Sequence, residues 1–308
     1  MRLSILQFLH KITIPILFGL SICNCNAQQA PQFTQFMYNN LVINPAYAGA
    51  EEALSLTVLN RNQWTGVEKA PSTQSFAIHS PIRNKNIGLG LTILRDQIGV
   101  HSNTSALSNY AYHIRLKKDN IISAGLQVGV TNLKSDYASL LGSSNDPKLM
   151  SSINEILIDF GAGIYFRSSR FQLGLSAPEL LARTVQLNDT ISVDIKRTNF
   201  LCYAQYRFTL GQSFDLEPGI MIKYFPDLPL SVDVNCNLVY RKVLTGGLSY
   251  RRNESVDILF KFQITAQFQF GYAYDYPIQH ASQLAGASHE LLVQYVFRSI
   301  KKHVVSPR

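Results

Sequence analysis

Polar and apolar residues alternate with a period of two along most of this chain. In 199–210, Phe200, Cys202, Ala204, Tyr206, Phe208 and Leu210 share one face. Asn199, Leu201, Tyr203, Gln205, Arg207 and Thr209 share the other. Leu230, Val232, Val234, Cys236, Leu238 and Tyr240 likewise alternate with Ser231, Asp233, Asn235, Asn237, Val239 and Arg241. Around 122–131, Ile122, Ala124, Leu126, Val128 and Val130 oppose Ser123, Gly125, Gln127, Gly129 and Thr131. This pattern predicts strands with one apolar face and one polar or small face.

A two-sheet sandwich and a membrane barrel both give such alternation, and strand length separates them. Many runs reach ten or more residues, where sandwich strands hold about five or six and a tilted membrane-crossing strand needs roughly nine to eleven. Phe and Tyr gather near the ends of the apolar faces, as an interfacial girdle requires. The predicted fold is an all-β, antiparallel, transmembrane outer-membrane β-barrel. Closure follows because an open sheet edge leaves N–H and C=O groups unpaired in hydrocarbon. The spacing predicts fourteen strands, at 52–61, 73–82, 87–95, 104–117, 121–131, 156–167, 170–177, 197–211, 214–225, 229–241, 243–252, 255–262, 264–275 and 288–298. The boundary near Gln263 has the weakest turn signal.

With both termini periplasmic, every second connection is a short periplasmic turn: 83–86, 117–120, 167–170, 211–213 and 241–242. The alternate connections are generally longer, above all 132–155, 178–196 and 276–287. Short inside turns and long outside loops are the barrel asymmetry.

Composition sharpens this picture in three places. Charged residues make up only 16% of the 308 positions, where a soluble surface carries about a quarter. Arg2, His10 and Lys11 precede the apolar run 12–23, and Ala27 offers a cleavage point before Gln28, so 1–27 reads as a signal peptide. The run is too short to span a bilayer, and bulky Ile22 opposes reading Leu20-Ser21-Ile22-Cys23 as a lipid-attachment site. Removing 1–27 takes away Arg2 and Lys11 and no acid, lowering the formal charge from +8 to +6. The remaining basicity is spread out, without a Lys/Arg tract interleaved with aromatics, so no nucleic-acid partner is expected. Cys202 and Cys236 fall at strand spacing among apolar neighbours and read as buried or lipid-facing thiols.

Catalytic chemistry does not assemble. Ser288-His289-Glu290 holds the three residue types of a triad, but strand neighbours point to opposite faces and a relay needs specific orientations. The histidines lack metal-ligand spacing, and no phosphate loop or dinucleotide fingerprint occurs. The expectation is a non-enzymatic protein with no cofactor. Asp159, Arg167, Arg207, Glu217, Lys223, Asp233, Arg241 and Lys261 are expected to point inward, as a wall-bracing ion-pair network or as a solute path. Gly88, Gly90, Gly125, Gly129, Gly161, Gly163, Gly246 and Gly247 are expected to let strands bend or a plug approach.

Residues 28–51 form a prelude to the barrel, 52–298, and 299–308 form a basic tail. The prelude mixes aromatics with turn formers, and two readings stand. It packs inside the lumen near the periplasmic mouth, or it presents Phe33, Phe36, Met37 and Tyr38 to a partner.

A set of words along the chain resembles the PorP/SprF family of Bacteroidota outer-membrane proteins. They are Gln32-Phe33-Thr34-Gln35-Phe36-Met37 with Asn44-Pro45-Ala46-Tyr47-Ala48-Gly49, and Arg61-Asn62-Gln63-Trp64-Thr65-Gly66 with Ala70-Pro71-Ser72-Thr73. Further along come Gly88-Leu89-Gly90-Leu91, Asp96 with Gly99, Tyr274-Asp275-Tyr276 and Ser288-His289-Glu290. The resemblance implies a fourteen-stranded barrel of the type IX secretion and gliding machinery. It implies as partners a periplasmic ring lipoprotein or an OmpA-like peptidoglycan-binding protein, and a large secreted adhesin, beside outer-membrane lipid. It marks Phe33, Phe36, Tyr38, Asn44, Pro45, Tyr47, Gly49, Arg61, Trp64, Asp275, His289 and Glu290 as the structural or partner-facing set. The alternative is a plugged transporter for small or hydrophobic solutes.

Overall fold

The computed structural model describes residues 31–82, 86–116, 119–137, 152–181, 183–188, 191–196, 198–226, 228–278 and 286–297. The expected signal peptide, 1–27, and basic tail, 299–308, lie outside them. The described strands are β1 (Leu54–Asn62), β2 (Ser72–Ile82), β3 (Ile87–Ile98), β4 (His101–Arg115), β5 (Ile121–Ser135) and β6 (Ile153–Arg167). Next come β7 (Phe171–Ala177), β8 (Arg183–Asn188), β9 (Ile191–Lys196), β10 (Phe200–Tyr206), β11 (Phe208–Leu210) and β12 (Phe214–Tyr224). The last are β13 (Ser231–Tyr240), β14 (Leu244–Arg251), β15 (Ser255–Gln263), β16 (Phe268–Pro277) and β17 (Ser288–Phe297).

All wall pairings are antiparallel. The order runs β10-β7-β6-β5-β4-β3-β2-β1-β17-β16-β15-β14-β13-β12, and a β10–β12 pairing closes the ring. The hairpin β8–β9 pairs only with itself, and β10 and β11 are two parts of one wall strand facing β12. Fourteen wall strands result. Closure leaves no edge to be satisfied in hydrocarbon.

Side-chain alternation follows the predicted faces. Leu126, Ile158, Phe200, Leu248 and Ile258 are exposed on the outside, while Ser123, Gln127, Asp159, Gln205 and Asp257 are buried inside. Aromatics pair around the outer rim at one end: Tyr206 with Phe208 at 4.5 Å, Phe214 with Tyr240 at 4.9 Å, and Tyr295 with Phe297 at 4.6 Å. Such rings suit the boundary between hydrocarbon and water. Cys202 and Cys236 are free thiols.

The ends of the barrel differ, and the strand limits depart from expectation in four places. Leu54 pairs with Phe297, so the first and last wall strands start and finish at the end bearing the short turns; this is the turn end, and the other is the loop end. At the loop end β3 and β4 continue to Gly99–Val100, a tight connection in place of a long loop, with Gly99 at φ +60°. β5 and β6 run on to Ser135 and Ile153, shortening the loop between them. The chain between β7 and β10 carries the hairpin β8–β9. Near Gln263 a turn occupies 264–267, because Thr265 Oγ1 accepts from the Gln267 and Phe268 amides (3.3 and 3.0 Å). Hydroxyl-to-backbone bonding of this kind competes with strand pairing, so Ile264 and Ala266 precede β16 rather than belong to it.

Candidate functional site: the plugged lumen

The described part of the prelude, from Pro31 on, lies inside the barrel. Its short elements are a 3-10 turn at Phe36–Tyr38, one α-helical turn at Asn40–Ile43 and a second 3-10 turn at Pro45–Tyr47. Asn44 caps the last of these by accepting from the Ala46 amide at 2.9 Å, and Pro45 fits the first position because its missing N–H is not needed there. The plug descends from the loop end, where Thr34 meets Glu290 and Asp275, to the turn end, where Gly49 meets His79.

At the loop end the fastening is ionic. Both oxygens of Glu290 accept plug amides, Thr34 N at 2.8 Å and Gln35 N at 2.7 Å. Arg61 Nη1 lies 2.7 Å from Asp275 Oδ2 and 3.2 Å from Glu290 Oε2, and it donates to Thr34 Oγ1 at 2.8 Å. Arg251 adds a bond to Thr34 Oγ1 and pairs with Asp233, which also pairs with Lys223. Arg61, Arg251 and Glu290 are at most 1% exposed. Charges this deep in the barrel persist only with partners.

Below that level the contacts turn apolar. Phe33, Phe36 and Met37 pack with Leu59, Tyr203, Met221, Leu259 and Leu292. Phe36 meets Tyr203 edge-on at 5.6 Å, and Lys261 Nζ sits 3.9 Å from the Tyr38 ring centre. Asn44 Nδ2 donates to two wall carbonyls, Ile164 O at 3.0 Å and Leu175 O at 3.4 Å. Removing that side chain strands a plug amide and loosens two strands. Asn44→Ala is expected to lower stability by about 1–3 kcal/mol, read as an earlier midpoint in urea unfolding of the folded barrel.

At the turn end Tyr47 lies edge-on between His79 and Tyr165, at 5.5 and 5.3 Å. The Gly49 amide donates to His79 Nδ1 at 3.1 Å, with Gly49 at φ +76°, which favours glycine. His113 Nε2 contacts Ala48 O at 2.8 Å. Wall glycines make these approaches possible: a Cβ on Gly88 would overlap Ala48 O, and one on Gly125 would overlap the Ala46 backbone. Glu52 pairs with Arg115 and Arg167 where the chain turns into β1.

Ten of the twelve sequence-selected residues therefore meet at the plug: Phe33, Phe36, Tyr38, Asn44, Pro45, Tyr47, Gly49, Arg61, Asp275 and Glu290. The reading that presents Phe33, Phe36, Met37 and Tyr38 to a partner gives way, because the first three are buried within the lumen and Tyr38 packs against them under Lys261. Trp64 and His289 stand apart. Trp64 is half-exposed at the loop end, at φ +52°, its amide donating to Ser288 Oγ at 3.3 Å. His289 points outward between Tyr272 and Tyr274, whereas Ser288 and Glu290 point inward. No relay is formed by the three.

Two other expectations change. Arg241 does not face the lumen; it occupies a tight turn at φ +49°, its guanidinium 5.4 Å from the Tyr240 ring centre. Gly246 faces open space outside, so no close approach requires it. Sequence reasoning missed Thr34, Gln35, His79, His113 and Arg251. Period two does carry the signal for Arg251, which shares the face of Thr245 and Ser249.

A family model described as type IX secretion system membrane protein PorP/SprF matches residues 25–295. The chain belongs to the PorP/SprF family. A PorP/SprF protein is a membrane component of type IX secretion, and this one is built as a closed outer-membrane barrel. A search of curated proteins found no match. Among solved structures, the deltaS2S3 mutant of the monoaromatic hydrocarbon channel TodX is 10% identical at TM-score 0.50, covering 84% of this chain and 94% of its own. Omp33 of Acinetobacter baumannii is 8% identical at TM-score 0.49, covering 80% and 98%. The toluene transporter TbuX of Ralstonia pickettii is 11% identical at 0.48, covering 84% and 93%. At these identities the likeness concerns the barrel fold alone.

Proposed function

We propose that this PorP/SprF barrel is an outer-membrane anchor for the type IX machinery rather than a conduit. The observation that carries this reading is the lumen filled by the chain's own residues 31–50, fastened from one mouth to the other. A wall that spends its interior on holding a plug is suited to fixing position in a membrane. The turn end faces the periplasm, with Arg115, Arg170, Arg207, Arg241 and Lys242 exposed on its rim. That rim meets a ring lipoprotein or an OmpA-like peptidoglycan-binding protein, while the loop end meets a large secreted adhesin. Single rim charges add little each, so shape and several turns together set the affinity.

The test is site-specific crosslinking in native outer membranes, with probes placed separately in the turns and the loops. Turn probes are expected to capture periplasmic envelope proteins, and loop probes a large surface protein. The purified barrel in vesicles is expected to pass neither ions nor small apolar solutes above the lipid background. Solute flux with no captured partner at either end would overturn the anchoring reading.

A further inference from the structure

The wall has one conspicuous dent. β7 is only seven residues long and stops at Ala177, before Pro178. Proline supplies no N–H to a ladder, and here the chain bends inward. Pro178 O receives the buried lumenal Gln127 side chain at 3.3 Å and lies over Gly161. Bridging bonds persist from the bent segment to both neighbours, Leu180 N to Phe160 O at 2.9 Å and Asn199 N to Glu179 O at 3.3 Å. The wall thus stays closed but is displaced toward the lumen.

Outside, this displacement leaves a cleft of about 490 Å³ across β6, β7, β10 and β12. Small residues, Ala162, Ala177 and Cys202, lie at its base, and Ile164, Phe200 and Tyr224 rise around it. Its volume falls in the range of ligand pockets. The surrounding surface is the lipid-facing belt: Ile164, Leu175, Phe200 and Tyr224 are all about half exposed. Phe200 and Tyr224 stack at 6.3 Å at the loop-end margin.

We propose that this cleft is a binding site for one hydrocarbon chain, the acyl chain of a membrane lipid. The occupant follows from the cleft's continuity with the lipid-facing wall and from its almost wholly apolar lining. Hydrophobicity alone does not hold the chain, because lipid tails are as apolar as the wall. Packing does: an empty recess forfeits the dispersion contacts of its lining, and a string of methylenes fills a narrow trough that a rigid helix does not.

The experiment reconstitutes the full barrel into phosphatidylethanolamine and phosphatidylglycerol vesicles with dibrominated acyl chains. Mild detergent extraction and native mass spectrometry then read the bromine isotope pattern. The wild type is expected to keep about one brominated lipid per barrel. Ala177→Trp and Cys202→Phe, which fill the base from two strands, are expected to reduce retention at least about fivefold. Leu248→Trp, on the plain outer wall of β14, is expected to retain the lipid as the wild type does. Each variant is first shown to fold by its heat-modifiable mobility, and Cys202→Ser, which leaves the cleft open, serves as the variant closest to native packing. No retained lipid on the wild type, or equal retention in the filled variants, overturns the proposal. So does a protein, including a second copy of this chain, that both filled variants release. None of these outcomes bears on the anchoring reading, which is judged by the turn and loop crosslinks.

Discussion

Replacing Gly125 with valine is expected to evict the plug and turn a silent barrel into an ion-conducting one. The β-carbon alone would overlap the Ala46 backbone, and backbone cannot swing aside as a flexible side chain can. The obstacle sits between Asn44, fastened to β6 and β7, and Ala48, fastened through His113. The plug has therefore no short slide that relieves it. Overpacking a core site costs typically about 1–3 kcal/mol, and this site belongs at the upper end. The wall keeps its own ladder, so the barrel persists while its stopper leaves. Planar-bilayer recordings are expected to change from background to stepwise openings, with protease cleaving the released prelude. Gly246→Val, facing open space outside the wall, is the matched control and is expected to stay silent. Unchanged conductance in a folded Gly125→Val barrel would show that the plug does not close the lumen.

Glu290→Ala is expected to be the most destabilising single change in the ionic fastening. It removes the acceptor of two plug amides and leaves Arg61 with Asp275 as its remaining acidic partner. Breaking a buried pair by deleting one member costs about 3–5 kcal/mol, much of it from the polar groups left behind. Glu290→Gln keeps the shape and one acceptor oxygen, and is expected to lose roughly half as much. Equilibrium unfolding of the reconstituted barrel measures both. By contrast Arg207→Ala, at the open rim beside Glu217, is expected to cost less than about 1 kcal/mol, because its partly exposed pair is screened. Similar losses at Arg207 and Glu290 would contradict the depth assigned to the loop-end cluster.

The fold was legible because membrane-spanning sheet imposes its period on every wall strand. Phe200 and Tyr203 show this locally: one is exposed outside and the other buried against Phe36. Boundaries were less legible where side chains rather than hydropathy decide them. Thr265 shifts the start of β16 by capping a turn, and the β3–β4 ladder runs polar and apolar alike to Gly99. The plug was legible only as a change of texture. Nothing in the word Gln32–Met37 says that its amides seek Glu290, because that contact spans more than 250 positions. Arg61, Asp275 and Glu290 came forward through family resemblance; their meeting in one cluster required the closed ring. Arg251 carried the right parity but no adjacent motif to draw notice.

Long-range fastening constrains how the molecule is assembled. Thr34 and Gln35 are made before every strand of the barrel, yet their anchor is on β17, the last one. Loop closure over such a span is entropically costly and slow to be rewarded. The leading segment therefore waits, without its acceptors, until the final hairpin arrives and β1 zips to β17. Stoppering therefore follows ring completion, and a chain truncated before residue 288 lacks the lock as well as the seam.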